Sequence, residues 1–310
     1  LLAKTDLDII GFDSLSGFSG DLALREIVSK QFRLVVGSLS DEKLVEQIVS
    51  RVDAVVHLAA ETHNDFSISN PRPYLESNIV GTFNLLESVR KNGVRFHHVS
   101  TDEVFGDLDL TEPAFNEDSK YNPSSPYSAT KASSDMLVRA WHRTYGLPIT
   151  LSNCSNNFGN YQTVEKFIPR QITNLLQGKK IKIYGSGENV RDWIHVDDHC
   201  VGLLKVLEKG KDGETYLFGG DNERSNIEVA QILLEEMDLD LNSLEFVQDR
   251  PGHDFRYSID SSKAKSELGW SISHNEFEKD LGELLAWYRE NESFWTNGKN
   301  KIESKYSVIE

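Results

Sequence analysis

Cysteine, long apolar runs and positive charge are all scarce in this chain of 310 residues. Its two cysteines, Cys154 and Cys200, have neither the spacing of a metal-binding motif nor a secretory context, so we expect both to be reduced. No apolar run is long enough to span a bilayer, and no basic-then-apolar secretory segment opens the chain. These absences predict a cytoplasmic protein.

The shortage of cations leaves 33 Lys and Arg against 49 Asp and Glu, a formal net charge of −16. Such a balance argues against nucleic acid and against an anionic membrane as partners. A small anionic ligand stays compatible with it, because a binding site needs only a few local cations. The 38% of hydrophobic residues is ordinary for a globular protein, and the length suits one or two domains.

Short apolar segments alternate with helical patterns through the first half of the chain. The strands are predicted at 7–12, 33–36, 54–60, 94–99 and 149–152, and the intervening helices at 41–49, 74–91 and 127–145. This alternation predicts an α/β fold with a doubly wound, Rossmann-type parallel sheet. We expect residues 1–160 to form this domain and residues 161–310 to form mainly a smaller α/β lobe, with segments that return to the first domain. The polar residues from 297 onward are predicted to form a weakly ordered tail.

Two polar motifs stand out against this background. Thr101, Asp102 and Glu103 follow a predicted strand, where open α/β sheets place their chemistry. Tyr127 and Lys131 lie one helical turn apart and share a face, and an ammonium beside a phenol favours phenolate, which makes a general base for a hydroxyl. Taken singly, the first motif could be a polar turn and the second a surface pair. Their combination carries the functional prediction.

Several further motifs join these two, and together they resemble the extended short-chain dehydrogenase/reductase family from about residue 7 to about residue 288. The motifs are Leu58-Ala59-Ala60-Glu61, Ser100-Thr101-Asp102-Glu103-Val104, Pro126-Tyr127-Ser128-Ala129-Thr130-Lys131, Asn153-Cys154-Ser155-Asn156-Asn157, Arg191-Asp192-Trp193 and Asp249-Arg250-Pro251-Gly252-His253-Asp254. Within that family the chain is similar to the nucleotide-sugar 4,6-dehydratases. The adjacent Asp102 and Glu103 favour this group, because the family's epimerases lack the pair.

The resemblance implies an NAD-dependent lyase that converts dTDP-glucose to a 4-keto-6-deoxy sugar. Tyr127 would remove the 4-hydroxyl proton while NAD takes the hydride from C4, and Lys131 would hold the cofactor ribose and lower the pKa of Tyr127. Thr101 would donate to the oxygen that becomes a carbonyl. Glu103 would then remove the C5 proton and Asp102 would protonate the departing 6-hydroxyl, before the hydride returns to C6. One carboxyl of such a coupled pair can keep a proton while the other is ionised.

The same resemblance implies two sets of binding residues. Those for the cofactor are Asp13, Ser38, Leu39, Leu58, Ala59, Ala60, Ser77, Tyr127 and Lys131. Asp13 ends a predicted strand, where a dinucleotide fold places the acid that binds the adenosine ribose and favours NAD over NADP. Those for the dTDP-sugar are Thr62, Thr101, Asn156, Lys166, Arg191, Asn226, Arg250 and His253. Arginine suits the pyrophosphate because its guanidinium can bind phosphate oxygens bidentately.

Two departures from the family pattern keep alternatives open. The Gly-rich turn that normally lies about 20 residues before the ribose-binding acid would fall before residue 1, so we expect the first strand and this loop to be missing from the chain as given. The segment Gly37-Ser38-Leu39 also lacks the acid of the usual Gly-Asp-Ile. The expected absence of the loop leaves a non-catalytic homologue as one alternative. Another nucleotide-sugar epimerase or decarboxylase of the family, which would share the fold, Tyr127 and Lys131, is the second.

The remaining predictions concern metal, assembly and pathway. His195 and His199 resemble a pair of metal ligands on a helix, with Asp197 and Asp198 between them. Acids in a first helical turn simply favour the helix dipole, and no third ligand is expected nearby, so we predict no metal. The family resemblance also implies a homodimer built from two helices of each subunit, and a role in deoxysugar supply such as rhamnose synthesis.

Overall fold

The computed structural model describes residues 1–16, 23–24 and 27–309 of the chain. Its strands are β1 (Ile9–Asp13), β2 (Phe32–Val36), β3 (Ala54–His57), β4 (Arg95–Thr101), β5 (Ile149–Cys154), β6 (Asn156–Phe158), β7 (Ile181–Tyr184), β8 (Val190–His195), β9 (Thr215–Phe218), β10 (Glu223–Ser225) and β11 (Leu244–Val247). No helix within the described ranges is both apolar enough and long enough to cross a bilayer.

The helices follow the strands in alternation through most of the chain. They are α1 (Glu42–Val49), α2 (Asn64–Ser69), α3 (Arg72–Tyr74, continuing through the π-helical Leu75–Val80 into Gly81–Asn92), α4 (Pro126–Tyr145), α5 (Phe167–Leu176), α6 (Val196–Lys209), α7 (Asn226–Glu235), α8 (Ser262–Leu268), α9 (Phe277–Glu290) and α10 (Glu292–Ile309). Short 3₁₀ turns lie at Asp102–Val104 and Leu241–Ser243.

The described strands of the first domain form parallel sheet in two separate parts. One part has the order β3-β4-β5-β9, and the other pairs β1 with β2, with all neighbours parallel. Strand β4 is buried along nearly its whole length, as expected when helices cover both faces of a parallel sheet. Thr101, the last residue of β4, lies opposite Cys154 at the end of β5. The α/β prediction is confirmed, and the Thr-Asp-Glu motif lies at the carboxyl edge of the sheet.

Helix α4 begins at a capping box that fixes where the Tyr-x-x-x-Lys motif falls. The Ser125 hydroxyl accepts the N–H of Ser128, and the Ser128 hydroxyl accepts the N–H of Ser125. Pro126 occupies the first turn, where its missing N–H costs nothing. Tyr127 therefore stands in the first turn and Lys131 in the second, and both side chains are buried.

A second apolar core lies among the helices of the second half of the chain. It is formed by α5, α7 and α9, with Ile168, Leu233 and Leu281 almost completely buried. Strand β7 pairs with β11, and β8 lies between β6 and β10. This packing fixes Lys166, the N-cap residue of α5, and Arg191, within β8, on the side of the lobe that lines the site described below.

The prediction of a weakly ordered C-terminal tail was wrong, because these residues form α10. Ile302 is fully buried, and Tyr306 is only 3% exposed. Glu303 lies 3.2 Å from Nε of Arg170, which anchors the helix to α5. The helix makes polar contacts as well as apolar ones, and its mixed composition therefore conceals it in the sequence.

Candidate active site

Two adjoining cavities lie beside the carboxyl ends of the parallel strands. The sheet-edge cavity, of about 1210 Å³, is lined by residues that follow β1, β2 and β3 and by part of α3. The cation-lined cavity, of about 150 Å³, is lined by α2, α5, β8 and the segment around residue 250. Thr62, His63 and Glu165 line both, so the two spaces meet at these residues.

Most of the residues expected to bind the cofactor line the sheet-edge cavity. They are Asp13, Ser38, Leu39, Leu58, Ala59, Ala60 and Ser77. Tyr127 and Lys131, expected in the same set, do not line it. Tyr74 does, and its ring meets that of Tyr127 edge-on with 6.4 Å between centroids. Tyr127 and Lys131 therefore lie behind the wall of this cavity in the structure.

The lining of the sheet-edge cavity fits a dinucleotide. Asp13 ends β1 with a carboxylate whose Oδ1 accepts the N–H of Leu15 at 2.7 Å, which fixes the group at the carboxyl end of a parallel strand. A carboxylate in that position can accept hydrogen bonds from ribose hydroxyls. Ala59 and Ala60, just after β3, have small side chains that leave the space open. The volume and the lining together suit a nucleotide ligand.

The chain turns at the end of β4 so that two carboxyl groups follow one hydroxyl. Thr101 donates from its hydroxyl to Oδ1 of Asp102 at 3.1 Å and accepts the N–H of Glu103 at 3.3 Å. Asn64 donates from Nδ2 to the Glu103 carboxylate at 2.8 Å. Glu103 lines the cation-lined cavity, whereas Asp102 is only 2% exposed. The two acids thus occupy different environments although they are adjacent in sequence.

The environment of Asp102 favours its protonated form. Burial, and then the nearby charge of Glu103, raise the pKa of the Asp102 carboxyl well above its ordinary value. Within the described residues its Oδ2 has no hydrogen-bond partner. A carboxyl that keeps its proton beside a second carboxyl provides the acid and base that an elimination requires.

Tyr127 and Lys131 are buried, which rules out the surface-pair interpretation. Burial, and then the charge of Glu103, raise the pKa of the Tyr127 phenol well above its ordinary value. The Lys131 ammonium donates to the carbonyl of Val99 at 2.9 Å. That Lys131 lowers the pKa of Tyr127 stays a prediction, because burial dominates the net upward direction and the ammonium is bound to β4 in this structure.

The cation-lined cavity gathers seven of the eight residues expected to bind the dTDP-sugar. They are Thr62, Asn156, Lys166, Arg191, Asn226, Arg250 and His253. Thr101 is the exception, since it is buried at the end of β4 and does not line the cavity. These residues come from distant parts of the sequence, and only the fold brings them together.

Two cations of this cavity are held by neighbouring oxygen atoms. Lys166 donates from Nζ to both the carbonyl and the hydroxyl of Thr62, each at 2.8 Å, and its burial lowers the pKa of the ammonium. Arg250 places Nη1 3.4 Å from Oδ1 of Asp65. Because both groups are already oriented, an anion entering the cavity would meet positive charge that needs little rearrangement.

Arg191 and His253 also line this cavity. Arg191 donates to the backbone carbonyls of Val190 at 2.7 Å and Asp254 at 2.9 Å, and its guanidinium lies 4.3 Å from the ring centre of Tyr257. His253 is different, because burial lowers the pKa of its imidazole to about 4. It is therefore neutral near pH 7 and serves as a hydrogen-bonding group rather than as a charge.

Sequence reasoning missed one side chain at the junction of the cavities. Tyr306 of α10 lines the cation-lined cavity, and its hydroxyl lies 2.6 Å from Nε2 of His63. The Arg170 guanidinium lies 3.3 Å from the centre of the Tyr306 ring. The sequence does contain one signal of this helix. Ile302 and Tyr306 are four residues apart, which places both on one helix face.

Three residues near the start of α6 offer metal-ligand atoms, contrary to one expectation. His195, Asp197 and His274 each have such an atom, and the three atoms lie within 4.8 Å of one another. The expectation that no third ligand stands nearby was wrong, because the fold brings in His274. The two imidazoles stack with centroids 3.7 Å apart and planes 17° from parallel, so their lone pairs do not converge. The absence of a metal stays a prediction.

A parallel α/β sheet with a buried Tyr-x-x-x-Lys helix at its carboxyl edge defines a short-chain dehydrogenase/reductase of the extended type. Within that class the chain belongs to the GDP-mannose 4,6 dehydratase family, whose model matches residues 9–280. This family membership confirms the resemblance found in the sequence.

Individual relatives are also similar over most of their length. The chain is 55% identical over 280 residues to a dTDP-glucose 4,6-dehydratase of Mycolicibacterium smegmatis, covering 90% of this chain and 85% of that protein. It is 43% identical over 328 residues to the Escherichia coli enzyme of the same name, covering 95% and 90%.

Solved structures support the same fold. DesIV, a dTDP-glucose 4,6-dehydratase from Streptomyces venezuelae with NAD and TYD bound, superimposes with a TM-score of 0.91 at 42% identity and covers 96% of this chain and 92% of that one. A UDP-glucuronic acid 4-epimerase from Bacillus cereus, in complex with UDP-glucuronic acid and NAD, gives a TM-score of 0.87 at 25% identity, covering 94% and 93%. The Rossmann-type fold class is thereby confirmed.

Proposed function

We infer that this protein is an NAD-dependent hydro-lyase that converts dTDP-glucose to dTDP-4-keto-6-deoxyglucose. The observation that carries this conclusion is the pair formed by Asp102 and Glu103 at the end of β4, one buried with a raised pKa and the other lining the cation-lined cavity. An epimerase needs no such acid–base pair. The relatives named dTDP-glucose 4,6-dehydratase support the same reaction.

The first step is oxidation of the sugar at C4. NAD bound in the sheet-edge cavity supplies the hydride acceptor for this step and the hydride donor for the last one. Tyr127 removes the proton of the 4-hydroxyl as a phenolate, and Lys131 on the next turn of α4 holds the cofactor ribose. Burial raises the pKa of this phenol in the structure, and the positive charge of bound NAD would favour the phenolate that the step requires. Thr101 donates a hydrogen bond to the oxygen that becomes a carbonyl. Its hydroxyl donates to the Asp102 carboxyl in this structure. When substrate binds, the 4-oxygen of the sugar replaces that carboxyl as the acceptor.

The second step is elimination of water across C5 and C6. The new ketone acidifies the C5 hydrogen, which Glu103 removes as a base. Asp102 delivers its proton to the 6-hydroxyl, which leaves as water. The raised pKa of Asp102, caused by its burial and by the nearby charge of Glu103, favours the protonated form that supplies this proton. A hydride returned to C6, together with the proton that Glu103 gives back to C5, then completes the 4-keto-6-deoxy sugar, and the reaction has no net oxidation.

We propose that the two cavities divide the ligands between them. Asp13 and the neighbouring residues of the sheet-edge cavity bind NAD, so that residues 1–160 form mainly the cofactor domain. Lys166, Arg191 and Arg250 bind the diphosphate of the dTDP-sugar in the cation-lined cavity. Further contacts to the sugar and nucleoside come from Thr62, Asn156, Asn226 and His253. Residues 161–310 thus form mainly the substrate lobe.

We further propose a homodimer that pairs α3 and α4 of each subunit. Large apolar side chains stand exposed on these helices, with Val80 47%, Phe83 41% and Met136 54% exposed. Burial of such side chains favours association. The product would enter deoxysugar synthesis, such as that of rhamnose, in the cytoplasm.

Product identity tests the proposed reaction. The purified protein is incubated with NAD and dTDP-glucose, and the product is examined by mass spectrometry and by its near-ultraviolet absorbance in strong base. The expected product is a keto sugar lighter by one water, with no net reduction of NAD. A product of unchanged mass would identify an epimerase, and the absence of conversion would identify a non-catalytic homologue. Tyr127→Phe serves as the inactive control.

A further inference from the structure

A buried polar cluster lies behind the catalytic pair, and the reaction described above does not use it. At its centre is Asp135, one helical turn after Lys131 on α4 and 0% exposed. Nε2 of His98 lies 3.1 Å from Oδ1 of Asp135, and the Tyr121 hydroxyl donates to Oδ2 at 2.9 Å. Asn153 donates to the same Oδ2 at 3.3 Å.

The cluster is joined directly to the catalytic strand. Nδ2 of Asn153 also donates to the carbonyl of Thr101 at 2.9 Å, and Lys131 donates to the carbonyl of Val99 on the same strand. A shift of Asp135 would therefore displace both α4 and the end of β4. The cluster couples the helix that carries Tyr127 to the strand that carries the two acids.

A carboxylate buried this deeply requires a compensating positive charge, because an isolated buried ion is strongly disfavoured. His98 is a poor source of that charge, since burial, and then the Lys131 ammonium, lower the pKa of its imidazole. Arg139 donates to the Tyr121 hydroxyl at 3.3 Å and so lies one hydrogen bond removed from the carboxylate. Lys131 is the cation that shares the helix face with Asp135.

We propose that Asp135 is the buried counter-ion that keeps Lys131 charged, and that Tyr121 and Asn153 hold Asp135 in place. Asp135 is on this account a positioning residue that acts through Lys131. The consequence for catalysis rests on the proposed function, in which Lys131 holds the cofactor ribose, whereas the charge pairing itself does not.

The other titratable groups around Lys131 cannot replace Asp135. His57, from β3, is buried, and burial lowers the pKa of its imidazole well below the ordinary value. The ring is therefore neutral and cannot serve as a counter-ion. Cys154, from β5, is held neutral near pH 7, because burial raises the pKa of its thiol to about 12. The raised pKa of Tyr127 keeps that phenol neutral as well. Burial lowers the pKa of Lys131 and Asp135 opposes that effect.

The test measures the charge of Lys131 directly in the whole protein, without substrate. Lysine labelled at Cε is incorporated, the Lys131 signal is assigned from its loss in Lys131→Arg, and its chemical shift is followed with pH. Asp135→Asn keeps the shape of the side chain and removes the charge. We expect the titration midpoint of Lys131 to fall by at least one pH unit, a tenfold loss of proton affinity, relative to the unmodified protein.

His97→Gln is the matched control, because His97 is equally buried on the adjacent position of β4 but bonds to Thr150 and Ser152 instead. Its Lys131 midpoint should match that of the unmodified protein. An unchanged midpoint in Asp135→Asn would overturn the proposal. If that variant does not fold, the unmodified protein decides: Lys131 charged at pH 8 supports the proposal, and Lys131 neutral there overturns it.

Activity then separates this proposal from the proposed function. If the unmodified protein dehydrates dTDP-glucose, Asp135→Asn should lose activity at a lower pH on the alkaline side, as Lys131 loses its proton earlier. An alkaline limb that does not move, despite a shifted Lys131 midpoint, would overturn the positioning role. If the unmodified protein is inactive, the proposed function fails, while the midpoint measurement still tests the charge pair.

Discussion

The two cavities that meet at His63 differ in the charge of their lining side chains and in whether the protein already holds those charged groups in place. The sheet-edge cavity is large and is lined mainly by neutral and acidic side chains, such as Ser38, Ala59 and Asp13. The cation-lined cavity is small, and its Lys166 and Arg250 are already bonded to oxygen atoms of the protein. We therefore expect the first cavity to select its ligand by shape and by ribose contacts, and the second to select its ligand by negative charge. Substitutions in one cavity should therefore affect one ligand and spare the other.

The largest expected effect belongs to the acid–base pair that borders the cation-lined cavity. Glu103→Gln should lower turnover by about 10²- to 10⁴-fold, the usual contribution of a positioned general base. The sugar should still be oxidised at C4, because that step depends on Tyr127, so bound NADH should accumulate. Stopped-flow absorbance of the cofactor measures this, with the exposed Glu112→Gln as control. A Glu103→Gln enzyme that never reduces its cofactor would place Glu103 in the oxidation step.

The next largest effect tests the cation-lined cavity itself. Lys166→Met should raise the Kd of the dTDP-sugar about 10- to 100-fold, since a hydrogen bond to a charged group contributes about 1.5–3 kcal/mol. Affinity for NAD should not change. Calorimetry with each ligand separates the two effects, and Lys265→Met, which removes a surface partner of Asp221, is the control. An equal loss of affinity for NAD and for the dTDP-sugar would contradict the proposed division of the two ligands between the cavities.

The reciprocal substitution tests the sheet-edge cavity with a smaller effect. Asp13→Asn keeps the side-chain shape but replaces the carboxylate, and it should weaken NAD binding about tenfold, the equivalent of roughly one charge-assisted hydrogen bond. It should leave the affinity for the dTDP-sugar unchanged and reduce the preference for NAD over NADP. Fluorescence titration with both cofactors measures the preference. Asp53→Asn, outside the cavity, should behave as the unmodified protein does.

The smallest effect concerns α10, which brings Tyr306 to the junction of the cavities. Contacts with Arg170 and Lys299 lower the pKa of Glu303 to about 2, despite its partial burial. Its contribution to stability is therefore present above the ordinary pKa of 4.5 and is lost as the pH falls toward 2. Because the group is partly exposed, we expect only about 1 kcal/mol. Thermal unfolding between pH 5 and 3 should show less pH dependence in Glu303→Gln, and identical slopes would contradict this.

The sequence was most informative where pattern and position coincide. β4, α1 and α4 were predicted close to their observed bounds, because buried parallel strands are apolar throughout and helices repeat with a period of 3.6 residues. The residues of the cation-lined cavity could be proposed only through the family resemblance, since they come from separate elements. Their mutual contacts, such as that of Lys166 with Thr62, are products of the fold.

Other features could not be predicted because they depend on environment rather than on residue type. The raised pKa of Tyr127 follows from burial, which a Tyr-x-x-x-Lys spacing does not reveal. His274 joins His195 through a contact between residues 79 positions apart, so local spacing could not show it. Helix α10 is stabilised in part by the ion pair of Glu303 with Arg170 of α5, and its own sequence contains too few apolar residues to predict it.

Transfer of a labelled hydrogen tests the central claim most directly, namely that one site oxidises C4, eliminates water and reduces C6. dTDP-glucose carrying deuterium at C4 is converted by the NAD-loaded protein, and the product is examined by NMR. The account predicts that the deuterium appears at C6 of the 4-keto-6-deoxy product, within the same sugar molecule. Deuterium released to solvent, or retained at C4, would contradict it.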